Sequence, residues 1–399
     1  ILGIRPDVIR ASKIIKLLSE NNNITFDFIW SGQHYSENMK DVFFKQLNVP
    51  EPDVEFEIDT TSDASTVSSV IKNTFNHLEN NSYKAVVFLG DTNTVMGSIG
   101  AAQQNVPIVH IEGCMRSYDW RMPEEKYRKT IDHLSDRIYA YLDSYKLQGL
   151  NEGISEDIIK VTGNPIVDII QENQSIFDSG YETLDSKVLD FTGEGEFLLA
   201  TSHRRENILN LDSLNNIVNL FNSSDMKIVF PAGYKTQEML ESYDLKLNSN
   251  VLMIDPLGYL EFMYLLKKST FVMSDSGTVV EEACIMNVPS IQMRYSTERP
   301  EVYDVGASIK FDPSSKISDF QGYIDKVVKL VDTKWEQPFG DGKASNNIVD
   351  DLLELSDSNS FHKHNKENYP FDIHLKNEEN FISLFNNTSR QRLNRNVSC

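Results

Sequence analysis

The feature that most constrains this chain is a repeated unit. A short apolar run of strand length ends in a cluster of glycine, hydroxyl and charged residues, and a helical pattern follows. Residues 85–89 end in Gly90-Asp91-Thr92, and helical spacing runs over 96–104. Residues 108–111 run into Glu112, and a helix is predicted after Pro123 because proline suits a first helical position. Residues 197–200 run into Thr201-Ser202-His203-Arg204-Arg205-Glu206, and 271–273 into Ser274-Asp275-Ser276-Gly277-Thr278. Strands are also predicted at 25–30, 227–230, 251–254 and 290–293, and helices at 8–18, 65–78 and 344–355. Strands that alternate with helices make a parallel α/β sheet, and such sheets bind ligands beyond the carboxyl ends of their strands.

The series restarts near Phe197, and 399 residues exceed what one ordinary core holds. Two Rossmann-like, doubly wound domains are therefore predicted, over 1–165 and 166–343. Residues 356–399, rich in Asn, Ser, His and Lys, read as a loosely ordered extension that Phe361, Phe371 and Phe381 pin to the surface.

The net charge of -21 argues against nucleic acid and anionic membranes as partners, because their phosphates repel it. A small phosphate ligand needs only a local positive pocket. No run approaches the ~20 apolar residues of a membrane helix. Cys114, Cys284 and Cys399 are odd in number and widely spaced, which implies no disulfide framework and fits a reducing cytoplasm. Without a CxxC pair or HExxH, no metal site is expected.

Several strand ends carry residues suited to chemistry. Gly3-Ile4-Arg5-Pro6 offers an anion a turn, a helix N-terminus and a guanidinium, but equally suits an ordinary turn. Asp91 is a base or a helix cap. Glu112, Glu124 and Glu125 place carboxylates at a strand end and a helix start, where acid and base roles can divide, or where they simply favour the helix dipole. His203-Arg204-Arg205 in so acidic a chain suggests an anion site rather than a surface ion-pair network. Ser276-Gly277-Thr278 before a helix suits a phosphate, and a glutamate one turn on suits a ribose. A capping box is the competing reading.

Taken in order, Gly3-x-Arg5-Pro6, Gly90-Asp91-Thr92, His110-x-Glu112, Pro123-Glu124-Glu125, Val161-Thr162-Gly163-Asn164, His203-Arg204-Arg205-Glu206, Asp275-Ser276-Gly277 with Glu281-Glu282, Glu298-Arg299-Pro300-Glu301 and Gly340-Asp341-Gly342-Lys343-Ala344-Ser345 resemble the non-hydrolysing UDP-N-acetylglucosamine 2-epimerases. The resemblance covers Ile1 to about Leu355. It implies a GT-B-like fold with the active site in the interdomain cleft, a helix 344–355 returning to the first domain, and a homodimer. Asp119-x-Arg121-x-Pro123-Glu124-Glu125, with Met122 where the usual enzymes carry an aromatic residue, tilts the resemblance toward enzymes of UDP-linked 2-acetamido-2,6-dideoxy-L-hexoses. Ser36 and Gly233 stand where some members have an allosteric substrate site, so that regulation is not expected.

The implied chemistry is inversion of carbon 2 by elimination and re-addition of UDP through a glycal, with no cofactor, which agrees with the lack of a GxGxxG fingerprint. The resemblance assigns proton transfer to Asp91, Glu112 and Glu124. It gives the diphosphate to Arg5, Arg10 and His203, backbone contacts to Ser276, Gly277 and Thr278, the ribose to Glu282 and the uracil to Phe262. Arg116, Arg205 and Arg299 are further candidates. The alternatives are a GT-B glycosyltransferase with a UDP-sugar donor, a hydrolysing epimerase that releases UDP and free sugar, and a non-catalytic UDP-sugar-binding protein.

Overall fold

Two parallel sheets organise the chain. The computed structural model describes residues 1–32 and 46–361, with Arg5 described by its backbone only. Ser36, Phe371, Phe381, Cys399, the body of the predicted extension and the Arg5 side chain lie outside the described residues. Among these, residues 1–361 form one compact unit.

In the first domain, β3 (Val86–Leu89), β4 (Ile108–Ile111), β5 (Arg137–Ala140) and β6 (Ile159–Val161) pair in that order, all parallel. A short parallel pair, β1 (Ile29–Trp30) and β2 (Val54–Glu55), lies beside them. Ile1 and Leu2 stitch the two together: Leu2 N–H donates to Ile29 O at 3.0 Å, and the Ile1 amino group donates to Val87 O at 2.7 Å. The predicted strand 25–30 shrinks to two ladder residues because the Phe28 N–H turns aside to the Asp53 carboxylate, at 2.7 Å.

The second sheet runs β12-β11-β10-β7-β8-β9, again all parallel. Its strands are β7 (Phe197–Thr201), β8 (Lys227–Pro231), β9 (Val251–Ile254), β10 (Val272–Ser274), β11 (Ser290–Met293) and β12 (Ser308–Phe311). Chain order reverses between the neighbours β7 and β10, and the crevice beyond such a reversal is where doubly wound sheets hold ligands. The fold is GT-B-like, as predicted. The sequence reading missed β2, β5, β6 and β12.

The helix Ala344–Asp357 packs on the first domain's core through Ile348, Val349 and Leu352. Lys343 gives it no side-chain cap, so Asp168 of the helix Pro165–Asp178 accepts from Ala344 N at 3.1 Å and Ser345 N at 2.9 Å. Its own Asp351 accepts from Arg137, Tyr139 and Lys160 at 2.7–2.8 Å. A cavity of about 620 Å³ lies beneath this helix, between β1 and β3. Its wall is mostly aliphatic and aromatic, and its charged Asp27 and Lys84 are already bonded to Tyr83 and Ser356. Among the described residues, no helix is long and apolar enough to cross a membrane.

Ile348 is fully buried. Ile348→Ala is expected to lower the unfolding free energy by about 2–5 kcal/mol, read as an earlier urea midpoint at unchanged slope.

Candidate active site

A cavity of about 410 Å³ collects the strand ends of both domains. The first domain contributes Ile4, Pro6, Arg10, Asp91, Thr92, Glu112 and Glu124; the second contributes His203 through Glu206, Ser276 through Thr278, Glu298 and Arg299. Apart from Arg10, which lies in the second turn of the helix Arg5–Glu20, the groups sit in the segments that follow strands or at the starts of the next helices, so parallel topology aims them at one space.

The carboxylates stand in different environments. Burial pushes the Asp91 carboxyl up, but the Arg128 guanidinium, helped by Arg10 and Arg204, outweighs it and holds the group below the usual aspartate range. Burial raises Glu124 above the usual glutamate range, and the charge of Asp91 adds to the effect. The environments therefore push the two groups apart, toward ionised and protonated. Glu112 is buried, ion-paired to Arg10, and accepts from the Tyr141 hydroxyl at 3.1 Å. Its φ of 74° is left-handed, a conformation that costs a non-glycine residue about 1–3 kcal/mol and persists where surroundings hold it.

The adjacent glutamates have separate tasks. Glu125 turns inward and accepts from Ser117 N at 2.9 Å and Tyr118 N at 3.1 Å, which fixes the loop before the helix Pro123–Leu134. Glu124 faces the cavity.

On the second-domain side, Asp275 anchors rather than lines the site. Buried at the end of β10, it accepts from Ser202 Oγ at 2.8 Å, His203 N and Arg204 N at 3.0 Å and Asn207 Nδ2 at 3.1 Å. This locks the loop after β7 across the reversal point. Ser276 caps the helix Gly277–Ile285 by accepting from Val279 N, so the capping reading holds for its side chain, while the helix N-terminus still faces the cavity. A Cβ on Gly277 would stand 2.6 Å from Arg299 Nη1, so glycine is what admits that guanidinium.

Of the predicted residues, Arg10, Asp91, Glu112, Glu124, His203, Arg205, Ser276, Gly277, Thr278 and Arg299 line this one cavity. Arg205 stands exposed at its mouth, 3.2 Å from Asp63 of the first domain. Three predicted residues do not line it. Glu282 is buried, with its carboxyl pushed up to about 8 by burial and bonded to the Tyr259 hydroxyl at 2.9 Å. Phe262 packs half-buried in the second domain's core. Arg116 lies behind the wall, paired with Asp132 at 2.7 Å and Glu152 at 2.8 Å. Gly233 is the N-cap of the helix Tyr234–Ser242 and does not line the cavity.

Sequence reasoning assigned no role to Arg128, Arg294 or Glu298, and placed Arg204 only within an anion-binding cluster. Glu298, itself almost fully buried, lies 2.9 Å from Arg294, 3.6 Å from Arg128 and 3.7 Å from Arg204, and also pairs with Arg299. Together these outweigh the effect of burial and hold its carboxyl well below the usual range. Arg128 carried a legible signal, because it lies four residues after Glu124 and so shares its helical face.

With this geometry in view, the comparisons are specific. The family model described as UDP-N-acetylglucosamine 2-epimerase matches residues 16–353. The UDP-N-acetylglucosamine 2-epimerase of Methanocaldococcus jannaschii is 36% identical, covering 88% of this chain and 96% of its own. The UDP-2,3-diacetamido-2,3-dideoxy-D-glucuronate 2-epimerase of Pseudomonas aeruginosa is 30% identical, covering 89% and 99%. The crystal structure of the Methanocaldococcus jannaschii enzyme in complex with UDP-GlcNAc and UDP superposes with a TM-score of 0.79 at 35% identity, over 88% of this chain and 98% of that one. The chain belongs to the UDP-N-acetylglucosamine 2-epimerase family, non-hydrolysing isomerases that invert carbon 2 of UDP-linked sugars.

Proposed function

We propose that this chain epimerises carbon 2 of a UDP-linked 2-acetamido sugar through a glycal. The carrying observation is that three first-domain carboxylates face a helix N-terminus, His203 and Arg204 of the second domain across one cavity. The carbon 2 proton of such a sugar has no neighbouring ring carbonyl, so simple abstraction is far too slow. Elimination avoids the problem. A carboxylate takes the proton, the carbon 2 electron pair forms the double bond to carbon 1, and the carbon 1–oxygen bond breaks with its pair leaving on UDP. A carboxylic acid then protonates carbon 2 from the other face while the UDP oxygen re-forms its bond to carbon 1. Nothing is oxidised or reduced overall.

The environments favour Asp91 as the ionised base and Glu124 as the proton-bearing acid, with Glu112 placed by Arg10 beside them. Arg10, His203, Arg204 and the backbone at Ser276, Gly277 and Thr278 are suited to hold the departing diphosphate, as oriented donors do where charge develops. A glycosyltransferase would use the same anion site but would leave the three carboxylates without a task. The reading includes a cytoplasmic homodimer, which sedimentation would show as a mass of two chains.

UDP-N-acetylglucosamine and its manno epimer are the first substrates to expect, given the relatives. The resemblance around Asp119 to Glu125 supports the 6-deoxy-L reading as a second. Met122 is buried with its sulfur 3.7 Å from Arg294 Nη2, and Arg294 holds Glu298 in the cavity wall. A thioether in place of a ring there changes the wall's support. A panel of D and 6-deoxy-L UDP-N-acetylhexosamines decides between the two.

In heavy water the enzyme is expected to place deuterium at carbon 2 and to release traces of UDP and glycal. No exchange with any member of the panel would refute the reaction. Asp91→Asn or Glu112→Gln should lower kcat by roughly 10²–10⁴-fold while calorimetry finds UDP affinity within a few-fold. The pH dependence follows from the two shifts. Activity should rise as Asp91 loses its proton, below the usual aspartate range, and fall as Glu124 loses its own, above the usual glutamate range. The alkaline limb of kcat/KM should be absent from the residual activity of Glu124→Gln.

A further inference from the structure

Behind the cavity wall lies a hydrogen-bonded histidine–aspartate pair that the reaction does not touch. His110, on β4, is fully buried. Its Nδ1 is 2.7 Å from Asp132 Oδ1, and its Nε2 is 2.8 Å from the carbonyl oxygen of Gly90. A carbonyl oxygen and an ionised carboxylate both accept, so the ring is clamped between two acceptors, one on each nitrogen. Asp132 is ionised: burial pushes its carboxyl up, but the hydrogen bond and charge of His110 and the charge of Arg116 hold it below the usual range. Its second oxygen accepts from Cys114 N at 3.0 Å and lies 2.7 Å from Arg116 Nη1.

The backbone groups held here bracket the two proton-transfer candidates. The Gly90 carbonyl belongs to the peptide that leads into Asp91, and the Cys114 N–H lies two residues beyond Glu112. Between them the chain makes an unfavourable turn, with φ of 74° at Glu112 and 63° at Cys114. Gly113 is pressed against the pair. A Cβ there would stand 2.3 Å from Ile138, 2.9 Å from Asp132 Oδ1 and 3.2 Å from His110 Nδ1. One imidazole ring and one carboxylate thus bridge two loops that are also joined by the Gly90 N–H to Ile111 O bond at 3.1 Å.

We propose that His110 and Asp132 form a positioning pair that sets the separation of Asp91 from Glu112, and so the geometry of proton transfer at carbon 2. The proposal rests on those two carboxylates being the proton-transfer groups. Neither member of the pair lines the cavity. Their effect is on aim, and a misplacement of about 1 Å from behind a site costs on the order of 10²-fold in rate.

Asp132→Asn tests this at nearly constant volume. An asparagine has one acceptor oxygen where three donors converge. With folding checked by circular dichroism, kcat is expected to fall about 10–100-fold, while KM and the affinity for UDP stay within about threefold. The share of glycal released per turnover should rise, because reprotonation slows against escape. In an Asp91→Asn background the same change should add little, since the carboxylate being aimed is already gone. If Asp132→Asn fails to fold, His110→Gln, which keeps one donor, takes its place with the same expectations. A variant that is only less stable, with wild-type kcat and glycal release per folded molecule, overturns the pairing role, as does a loss carried by KM. A wild-type enzyme that exchanges no carbon 2 proton with any UDP-acetamido sugar overturns the proposed function, and this proposal with it.

Discussion

A carboxylate caged by guanidiniums holds the site together. A carboxylate as buried as Glu298 loses several kcal/mol of hydration, and only close, well-bonded cations repay it. Arg294, Arg299 and Arg204 come from its own domain, but Arg128 comes from the helix Pro123–Leu134 of the first. The same Arg128 pairs with Asp91 and sits 3.3 Å from Glu125. One guanidinium therefore ties together the domain seam, the loop that Glu125 fixes and the charge state of Asp91. A shift of the seam that lengthened the contact to Glu298 would change the field at Asp91 as well. The acid–base state of this cavity is thus a property of the two domains as assembled.

The architecture was largely legible because it is written locally. Each long apolar run ends in residues that cannot continue a strand, and the repeat of that pattern forces parallel connections. What was not legible is instructive. β2, β5, β6 and β12 are two to four residues long and owe their strand state to pairing more than to their own pattern. Glu124 and Glu125 differ by one step of helical phase, and so do Glu281 and Glu282. Sequence places such pairs at a helix start without saying which member meets the cavity. At Glu124 the assignment came out on the cavity side; at Glu282 it did not, because Tyr259 takes that carboxyl into the core. Arg116 was a further candidate, yet its partners Asp132 and Glu152 hold it behind the cavity wall. Glu298 and Arg128 had no local signal that they meet, since their partnership is made by the closing of one domain on the other.

The motif around Asp275 shows how a residue can be rightly noticed and differently used. Asp275 belongs to the motif whose next residues, Ser276-Gly277-Thr278, suit a phosphate. In the fold it points back across the sheet and holds the His203 and Arg204 backbone. The phosphate-type donors are then the helix N-terminus and the side chains on the loop that Asp275 pins. That division suits a site at a reversal point, where the two central strands must present their loops at a fixed distance.

The charge balance of the cavity also bears on how UDP is kept. Arg10 is paired with Glu112 and Asp7, Arg299 with Glu281 and Glu298, and Arg204 lies beside Glu298. Burial raises the Asp7 carboxyl to about 7, so even this outer partner of Arg10 is only partly a charge near neutrality. A diphosphate entering such a site exchanges partners with carboxylates instead of neutralising bare cations, which limits how tightly the ground state is held. In an elimination the charge on the leaving oxygen grows as the carbon 1–oxygen bond breaks. Cations already oriented by protein carboxylates can respond to that growth with little reorganisation, and only the part of an interaction that strengthens in the transition state raises the rate. In the proposed elimination UDP would also have to stay in place while detached, because the glycal would have to find it again. A site of paired charges can meet both demands: it avoids over-binding the intact sugar nucleotide and still presents oriented guanidiniums once the bond is broken.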